Sequence, residues 1–311
     1  MSDSRLSQVN ADLTLLLADA SYQAYEAFDK HPKVIPPRGW DYVDSWTGTD
    51  PYGFFFKTNE PYGLVFRSQT SPETFIFAFR GTDSIADGWE DIWANTAYFK
   101  PYKTPVGFPD IEVADGFNAV YVTADKSIPS MQQQLFTLLE KYQPKTLYIT
   151  GHSLGSSLCE LFTLDVAVSL PGELTAQTIN FACPRVGKSG FQTYYDGLPS
   201  QQNPTTKTIR IVNYWDFVPA LPPNFILGYD HVGDYFLLAF WKKGAWVPNV
   251  LVRHSLANYI TILKLAFKQP NQVFIGEAPG IDGSTPVTLK SASPPSTMVS
   301  SPEELGAGFS K

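Results

Sequence analysis

The pattern of hydrophobic and polar positions changes its period several times along the chain. Apolar residues at helical spacing predict α-helices, and short apolar runs bounded by turn residues predict β-strands. The predicted helices cover residues 13–28, residues 113–124 and 130–142 as one broken helix or two, residues 154–169 and residues 255–267. The predicted strands cover residues 62–67, 74–79, 147–149, 177–183, 206–214, 235–241 and 245–252.

The order of these elements predicts the fold class. The first two strands are joined by a short polar turn and predict a hairpin, and so do the last two. Between the hairpins, strands alternate with helices, which implies a central, mostly parallel, twisted sheet flanked by helices. We therefore expect an α/β fold whose reactive loops gather at the carboxyl ends of the strands.

Residues 146–159 are the most informative stretch, because an apolar strand is followed by a sharp turn around Ser153 and then by a helix. A serine on such a turn has strained backbone angles, so the positions two before and two after it must be very small. These positions are Gly151 and Gly155. The stretch predicts a nucleophile elbow that leaves the Ser153 hydroxyl free above the sheet.

The composition indicates a globular protein with one large core. The chain has 311 residues, of which 43% are hydrophobic and 17% charged, and we expect one domain over residues 1–275. Residues 276–311 are rich in Pro, Ser, Gly and Thr, so this tail is expected to be a linker or disordered. The net charge of −7, with scattered basic residues, argues against nucleic acid or anionic lipid headgroups as partners.

The chain offers no sign of a transmembrane segment or a secretory signal. The apolar run at residues 13–18 is too short to cross a bilayer, and the N-terminus lacks the basic start and apolar core of a signal peptide. Cys159 and Cys183 are expected to be buried thiols rather than a disulfide. These features favour a cytoplasmic location, and export by a route without an N-terminal signal stays open.

A serine hydroxyl needs an imidazole to accept its proton and a carboxylate to orient that imidazole. The chain has only 4 histidines. His152 is expected to point away from Ser153, and His31 precedes every predicted strand. Of the remaining pair, His231 and His254, we favour His254, because it follows a predicted strand and opens a helix, where the last member of a triad normally lies.

Two aspartates compete for the third position of the triad. Asp216 ends a strand directly before a Phe-Val-Pro sequence, so its side chain is presented on a loop stiffened by Pro219. Asp165 lies inside the predicted elbow helix and is expected to belong to a solvated or salt-bridged helix face. The favoured order is Ser153, Asp216, His254, which is the chain order of the α/β-hydrolases.

Residues 84–93 predict a short amphipathic helix with Ile85, Trp89, Ile92 and Trp93 on one face and acidic residues on the other. We expect a lid that makes transient contact with a lipid interface, because only an apolar surface would stabilise the exposed face. The alternative is an ordinary packed surface helix.

Several motifs occur in a fixed order along residues 75–259. They are Phe79-Arg80-Gly81-Thr82, Gly151-His152-Ser153-Leu154-Gly155, Pro184-Arg185-Val186-Gly187, Asp216-Phe217-Val218-Pro219 with Leu221-Pro222-Pro223, Tyr229-x-His231-x-Gly233, and His254 before a helix. In this order they resemble the class 3 lipases, typified by the fungal triacylglycerol lipases.

The resemblance implies an α/β-hydrolase fold with Ser153, Asp216 and His254 as its triad. It implies an oxyanion hole formed by the backbone N–H groups of Thr82 and Leu154, with the Thr82 hydroxyl as a further donor. His231 matches a recurrent histidine outside the triad.

The chain departs from the secreted fungal members, which carry disulfides and a signal peptide. We expect a lipase that cleaves carboxylic esters of acylglycerols through an acyl-enzyme, with no metal or organic cofactor. The alternatives are a phospholipase A1, a galactolipase or a soluble-ester carboxylesterase on the same triad, and a non-catalytic lipase-like interaction module. The sequence leaves acyl length, headgroup and oligomeric state open.

Overall fold

The computed structural model describes residues 9–29, 34–49, 60–82, 92–201, 207–241, 252–268, 274–277 and 289–291. Its strands are β1 Trp40–Gly48, β2 Glu60–Ser68, β3 Thr74–Phe79, β4 Thr96–Tyr98, β5 Glu112–Ala114, β6 Thr146–Gly151, β7 Thr175–Phe181, β8 Gly187–Lys188, β9 Lys207–Asn213, β10 Tyr229–Asp230, β11 Asp234–Trp241, β12 Phe274–Glu277 and β13 Leu289–Ser291. Its helices are α1 Ala11–Asp29, α2 Asp115–Val122, α3 Met131–Tyr142, α4 Leu154–Ser169, α5 Ser189–Gln201, α6 Asn224–Leu227 and α7 Leu256–Lys268.

The main sheet has 9 strands within the described residues, in the order β1-β2-β3-β6-β7-β9-β11-β12-β13. Pairs from β3 through β12 are parallel, and the pairs at both ends are antiparallel. The expected α/β architecture, with a mostly parallel sheet that begins with an antiparallel hairpin, is confirmed.

Helices cover both faces of this sheet. Because side chains alternate along a strand, Phe75, Phe77 and Phe79 of β3 enter one core, and Ile76 and Ala78 enter the other. The first core also takes the buried sides of α2, α3 and α4, and the second takes those of α1 and α7. This arrangement encloses the strand that carries the elbow.

A second sheet has 4 strands within the described ranges, in the order β10-β8-β5-β4, and all its pairs are antiparallel. Val113 of β5 and Tyr229 of β10 are buried in the first core. The small sheet is built from segments that follow the carboxyl ends of main-sheet strands, so it lies on the side expected to hold the reactive loops.

Several elements differ from the prediction, among them helices α5 and α6 and the four strands of the small sheet, which were not predicted. Strand β1 was not predicted, because its polar and apolar residues do not alternate regularly and its pairing with β2 is interrupted by two register shifts. Strand β11 pairs in parallel with β9. It was predicted to form a late hairpin with residues 245–252, and that stretch lies outside the described residues apart from Val252. Strands β12 and β13 extend the main sheet into the predicted tail, so Gly276, Glu277 and residues 289–291 are strand.

The remaining general features concern membranes and cysteines. None of the helices in the described ranges combines the length and hydropathy needed to cross a bilayer. Cys159 and Cys183 are free and buried, as expected.

Candidate active site

Ser153 lies on a strained turn between β6 and α4. Its φ of 58° and ψ of −127° fall in a region that residues with a side chain rarely adopt. The Ser153 N–H donates to the Phe181 carbonyl over 3.0 Å. The Ser156 hydroxyl lies 2.9 Å and 2.7 Å from the carbonyl oxygens of Gly151 and Phe181. These contacts tie the turn to the end of β7 and hold it in its strained form.

The glycines on either side of Ser153 are required by close packing. A Cβ atom at Gly151 would lie 2.6 Å from the backbone of Gly155. A Cβ atom at Gly155 would lie 2.7 Å from the carbonyl oxygen of Phe79 at the end of β3. The prediction that both positions must be very small is confirmed, and the second contact brings the end of β3 against the first turn of α4.

The structure brings Asp216 and His254 into direct contact. Asp216 follows β9, His254 precedes α7, and the His254 Nδ1–H donates to Asp216 Oδ2 over 2.7 Å. Both side chains are almost completely buried. Within the described part of the chain, His254 Nε2 and Ser153 Oγ are buried and have no hydrogen-bond partner. One imidazole nitrogen is therefore held by a carboxylate, and the other is available.

His152 connects Ser153 to the segment that carries His254. The rings of His152 and His254 have centroids 4.5 Å apart, and His152 Nε2 lies 2.7 Å from the His254 carbonyl oxygen. His152 is the residue before Ser153 in the chain, so the contact brings the elbow and His254 together. The His152 side chain contacts the backbone of His254, in keeping with the expectation that it is not the base that activates Ser153.

Two further groups hold the Asp216 carboxylate. The Tyr259 hydroxyl donates to Asp216 Oδ2 over 2.9 Å, and the Val218 N–H donates to Asp216 Oδ1 over 3.1 Å. The Tyr259 oxygen in turn accepts a hydrogen bond from the Asn213 N–H over 2.9 Å. Sequence reasoning missed Tyr259, because it lies on α7, 43 positions from Asp216, and no local pattern joins the two.

Thr82 and Leu154 are the residues expected to form an oxyanion hole; Leu154 follows Ser153 in the chain, and Thr82 follows a glycine that packs against the elbow. Leu154 begins α4, so its N–H is among those that a helix leaves without an internal acceptor. Thr82 is buried after β3. A Cβ atom at the preceding Gly81 would lie 2.5 Å from the His152 carbonyl oxygen, so the Thr82 loop lies against the elbow.

His231 is buried in a different environment from His254. Its Nε2–H donates to the Pro219 carbonyl over 2.8 Å. Burial first, and then the positive charges of Arg210 and Arg185, hold the pKa of His231 well below its ordinary value of 6.5. His231 is therefore neutral, and its hydrogen-bond partner among the described residues is a backbone carbonyl rather than a carboxylate.

The prediction for Asp165 is wrong, because this side chain is completely buried. Asp165 Oδ1 accepts from the Tyr102 N–H (2.7 Å) and the Ser169 hydroxyl (2.8 Å), and Oδ2 accepts from Gln132 (2.7 Å) and the Tyr121 hydroxyl (2.9 Å). Burial raises the pKa of Asp165, and these hydrogen bonds oppose that rise. Helix α4 is buried along its whole length, so it has no solvated face. Apolar residues lie on every side of this helix rather than on one stripe, and that was the signal for its burial.

Only the end of the predicted lid lies among the described residues. Ile92 and Trp93 are buried, whereas Ile85 and Trp89 lie outside the described residues. A Cβ atom at Gly116 would lie 2.8 Å from the Ile92 Cα atom, so Ile92 packs directly on the backbone of α2.

A metal centre is not found in the described part of the chain. There, no group of three or more His, Cys, Asp or Glu side chains is placed to hold a metal ion.

A strained serine turn at the carboxyl end of a mostly parallel sheet defines an α/β-hydrolase. The fold is similar to that of the Lip2 lipase of Yarrowia lipolytica, with a TM-score of 0.56 and 22% identity, over 79% of this chain and 82% of that chain. Residues 76–226 match the family described as lipase (class 3). The resemblance to the class 3 lipases that was inferred from the motifs is therefore confirmed.

Curated relatives extend beyond this chain. It is 28% identical over 235 residues to a phospholipase A1, EG1 of Oryza sativa subsp. indica, covering 66% of this chain and 51% of the relative. It is 33% identical over 109 residues to a secreted mono- and diacylglycerol lipase of Malassezia globosa, covering 34% of each. The chain therefore spans about half or less of these relatives.

Proposed function

We propose that the protein is a carboxylic ester hydrolase that cleaves acyl esters of lipids through a serine-linked acyl-enzyme. One observation carries the proposal. The His254 Nδ1–H is held by Asp216 over 2.7 Å, while His254 Nε2 and Ser153 Oγ are buried without a hydrogen-bond partner in the described residues. A base that is oriented on one side and unpaired on the other is the arrangement that nucleophilic catalysis needs.

In the proposed reaction, Ser153 Oγ attacks the carbonyl carbon of the ester as its proton moves to His254 Nε2. Asp216 stabilises the imidazolium ion that forms. The N–H groups of Thr82 and Leu154 stabilise the oxyanion, and the N-terminus of α4 favours negative charge at that place. His254 then protonates the leaving alcohol, and the acyl-enzyme is hydrolysed by water that His254 deprotonates.

The proposed substrates are acylglycerols, with phospholipids and galactolipids as the alternative class. The family match supports lipid esters in general, and the curated relatives divide between a phospholipase A1 and a mono- and diacylglycerol lipase. The net charge of −7 favours substrates without a strongly anionic surface. A soluble-ester carboxylesterase would use the same triad.

The proposal includes a lid over residues 84–93. Ser153 is completely buried, so a substrate reaches it only after the surrounding segments move. Ile92 is fixed against α2 through Gly116, which makes it the anchored end of such a lid. The part with Ile85 and Trp89 would then open at a lipid surface, where apolar side chains find apolar partners.

A substrate panel tests this function. Purified protein would be compared with Ser153→Ala on p-nitrophenyl esters of rising chain length, emulsified triacylglycerol, phosphatidylcholine and galactolipid. We expect Ser153-dependent hydrolysis of long-chain esters, with triacylglycerol cleaved fastest among the lipids. If phosphatidylcholine or galactolipid is cleaved fastest, the proposed substrate class would be wrong, but the proposed mechanism would stand. Equal activity of Ser153→Ala on every substrate would reject the mechanism itself.

A further inference from the structure

Three consecutive carbonyl groups next to the imidazole of the candidate triad are each held by a buried side chain. The Val252 carbonyl accepts from Asn258 Nδ2 over 2.9 Å, and the Arg253 carbonyl accepts from Asn213 Nδ2 over 2.9 Å. The His254 carbonyl accepts from His152 Nε2 over 2.7 Å. These three hydrogen bonds fix the backbone from which the His254 side chain projects.

Among these donors, His152 is placed to act most directly on the chemistry. Its neighbours in the chain are Gly151 and Ser153, so it joins the backbone of the nucleophile to the backbone of His254 in a single residue. The Asp216 carboxylate fixes only one atom of the His254 ring, Nδ1, over 2.7 Å. The position of Nε2 relative to Ser153 Oγ therefore also depends on where the His254 backbone lies.

Tyr25 of α1 sets the protonation of His152. Since the His254 carbonyl only accepts, His152 Nε2 must carry a proton. The Tyr25 hydroxyl lies 2.8 Å from His152 Nδ1 and donates to it, which keeps that nitrogen unprotonated. Burial, followed by the charge of His254, holds the pKa of His152 well below 6.5, in agreement with a neutral ring.

A neutral His152 matters because its ring is 4.5 Å from that of His254. In the proposed reaction His254 becomes an imidazolium ion, and a second positive charge at that distance would oppose proton transfer from Ser153. The Tyr25 hydroxyl thus fixes a tautomer that donates to the His254 backbone and carries no charge.

We propose that His152 is a positioning residue for His254, with its tautomer selected by Tyr25 from the N-terminal helix. The inference rests on the proposed serine-hydrolase function. It assigns α1, which lies outside the class 3 lipase match at residues 76–226, a part in aligning the base with the nucleophile.

The test compares conservative variants on a soluble p-nitrophenyl ester, with kcat, KM and the thermal unfolding midpoint measured for each. Tyr25→Phe removes the hydroxyl that lies 2.8 Å from His152 Nδ1 and 3.4 Å from the His152 carbonyl oxygen, and Tyr22→Phe on the same helix is its control. His152→Gln retains an N–H that reaches toward the His254 carbonyl, whereas His152→Leu retains volume without a donor.

Misplacement of a reacting group by about 1 Å costs on the order of 10²-fold in rate. We therefore expect His152→Leu to lower kcat about 10²-fold, with His152→Gln recovering most of the loss. Tyr25→Phe is expected to lower kcat about tenfold with KM within about twofold, because the control of the His152 tautomer is lost. Tyr22→Phe is expected to change neither.

An unchanged kcat in Tyr25→Phe would overturn the inference, and so would equal losses in His152→Gln and His152→Leu. If the His152 variants fail to fold, Tyr25→Phe decides alone, since it removes one hydroxyl from a half-buried side chain. A wild type that hydrolyses no ester would overturn the proposed function together with this inference.

Discussion

The His254 region and the His231 region hold two buried histidines in opposite electrostatic environments. His254 donates from Nδ1 to the Asp216 carboxylate over 2.7 Å. His231 donates from Nε2 to the neutral Pro219 carbonyl over 2.8 Å, and the charges of Arg210 and Arg185 disfavour its protonation. Both rings also have a second nitrogen that is buried without a partner in the described residues.

The difference shows that burial and an unpaired nitrogen do not by themselves identify a catalytic base. A general base must gain a proton during the reaction, so its surroundings have to favour the imidazolium ion. The carboxylate of Asp216 does so for His254, whereas two guanidinium groups oppose it for His231. We therefore expect the His254 region to control activity and the His231 region to control stability.

The largest expected effect is that of His254→Ala. Removal of the base should lower kcat/KM by about 10⁴- to 10⁶-fold, because the members of a triad act as a unit. The measurement is ester hydrolysis, with circular dichroism as the check on folding. His231→Ala serves as the matched control, and a comparable loss of activity in that variant at unchanged folding would reverse the assignment.

Asp216→Asn should give the next largest effect, because it provides His254 with a neutral partner like that of His231. An amide would no longer stabilise the imidazolium ion and could impose the wrong tautomer. We expect kcat to fall by about 10³- to 10⁴-fold with KM little changed. Steady-state kinetics on a soluble ester provide the measurement, and near-normal turnover would mean that the carboxylate is not part of the mechanism.

His231→Ala itself should act on stability. It removes a buried ring and leaves the Pro219 carbonyl without its donor, so the free energy of unfolding should fall by about 3 to 4 kcal/mol. Urea denaturation measures this change, and kcat should stay within about twofold of the wild type. His231→Gln retains an N–H donor and should recover part of the stability; no recovery would argue against the hydrogen bond as the cause.

The His231 region also predicts a dependence of stability on pH through Glu160. Glu160 is buried on α4, accepts from the Cys183 thiol over 3.1 Å, and interacts with the charge of Arg210, which also affects His231. Burial raises the pKa of Glu160 from 4.5 to about 7.

Because the folded state binds this proton more tightly than the unfolded state, the wild type loses stability as the pH rises from 4.5 to about 7. Glu160→Gln should escape this loss. The difference in unfolding free energy between the variant and the wild type should therefore grow by about 3 kcal/mol across that window and stay constant above it. A difference that is independent of pH would show that Glu160 does not titrate there.

The parts of the site that sequence could predict are those that depend on neighbouring residues. Gly151 is needed because it packs on the backbone of Gly155, and Gly155 because it packs on the end of β3; this requirement appears in the sequence as a motif. The alternation of strands and helices likewise indicated the sheet. Strand β1 was not predicted, because an edge strand with two register shifts loses the regular alternation of polar and apolar residues.

What could not be predicted depends on residues that are distant in the chain. Tyr25 meets His152 from 127 positions away, and Tyr259 meets Asp216 from 43 positions away. Such contacts are fixed by the packing of whole helices on the sheet, so no local sequence pattern indicates them. Asp165 is a different case, because the apolar sequence of α4 already indicated a buried helix.

The most direct test of the central claim is to locate the nucleophile chemically. The protein would be treated with a fluorophosphonate and digested, and the modified peptide identified by mass spectrometry. We predict one phosphonyl group, attached to Ser153, with none on Ser153→Ala and much slower labelling of His254→Ala than of His231→Ala. Labelling of Ser153→Ala at the wild-type rate, or an adduct on another side chain, would contradict it.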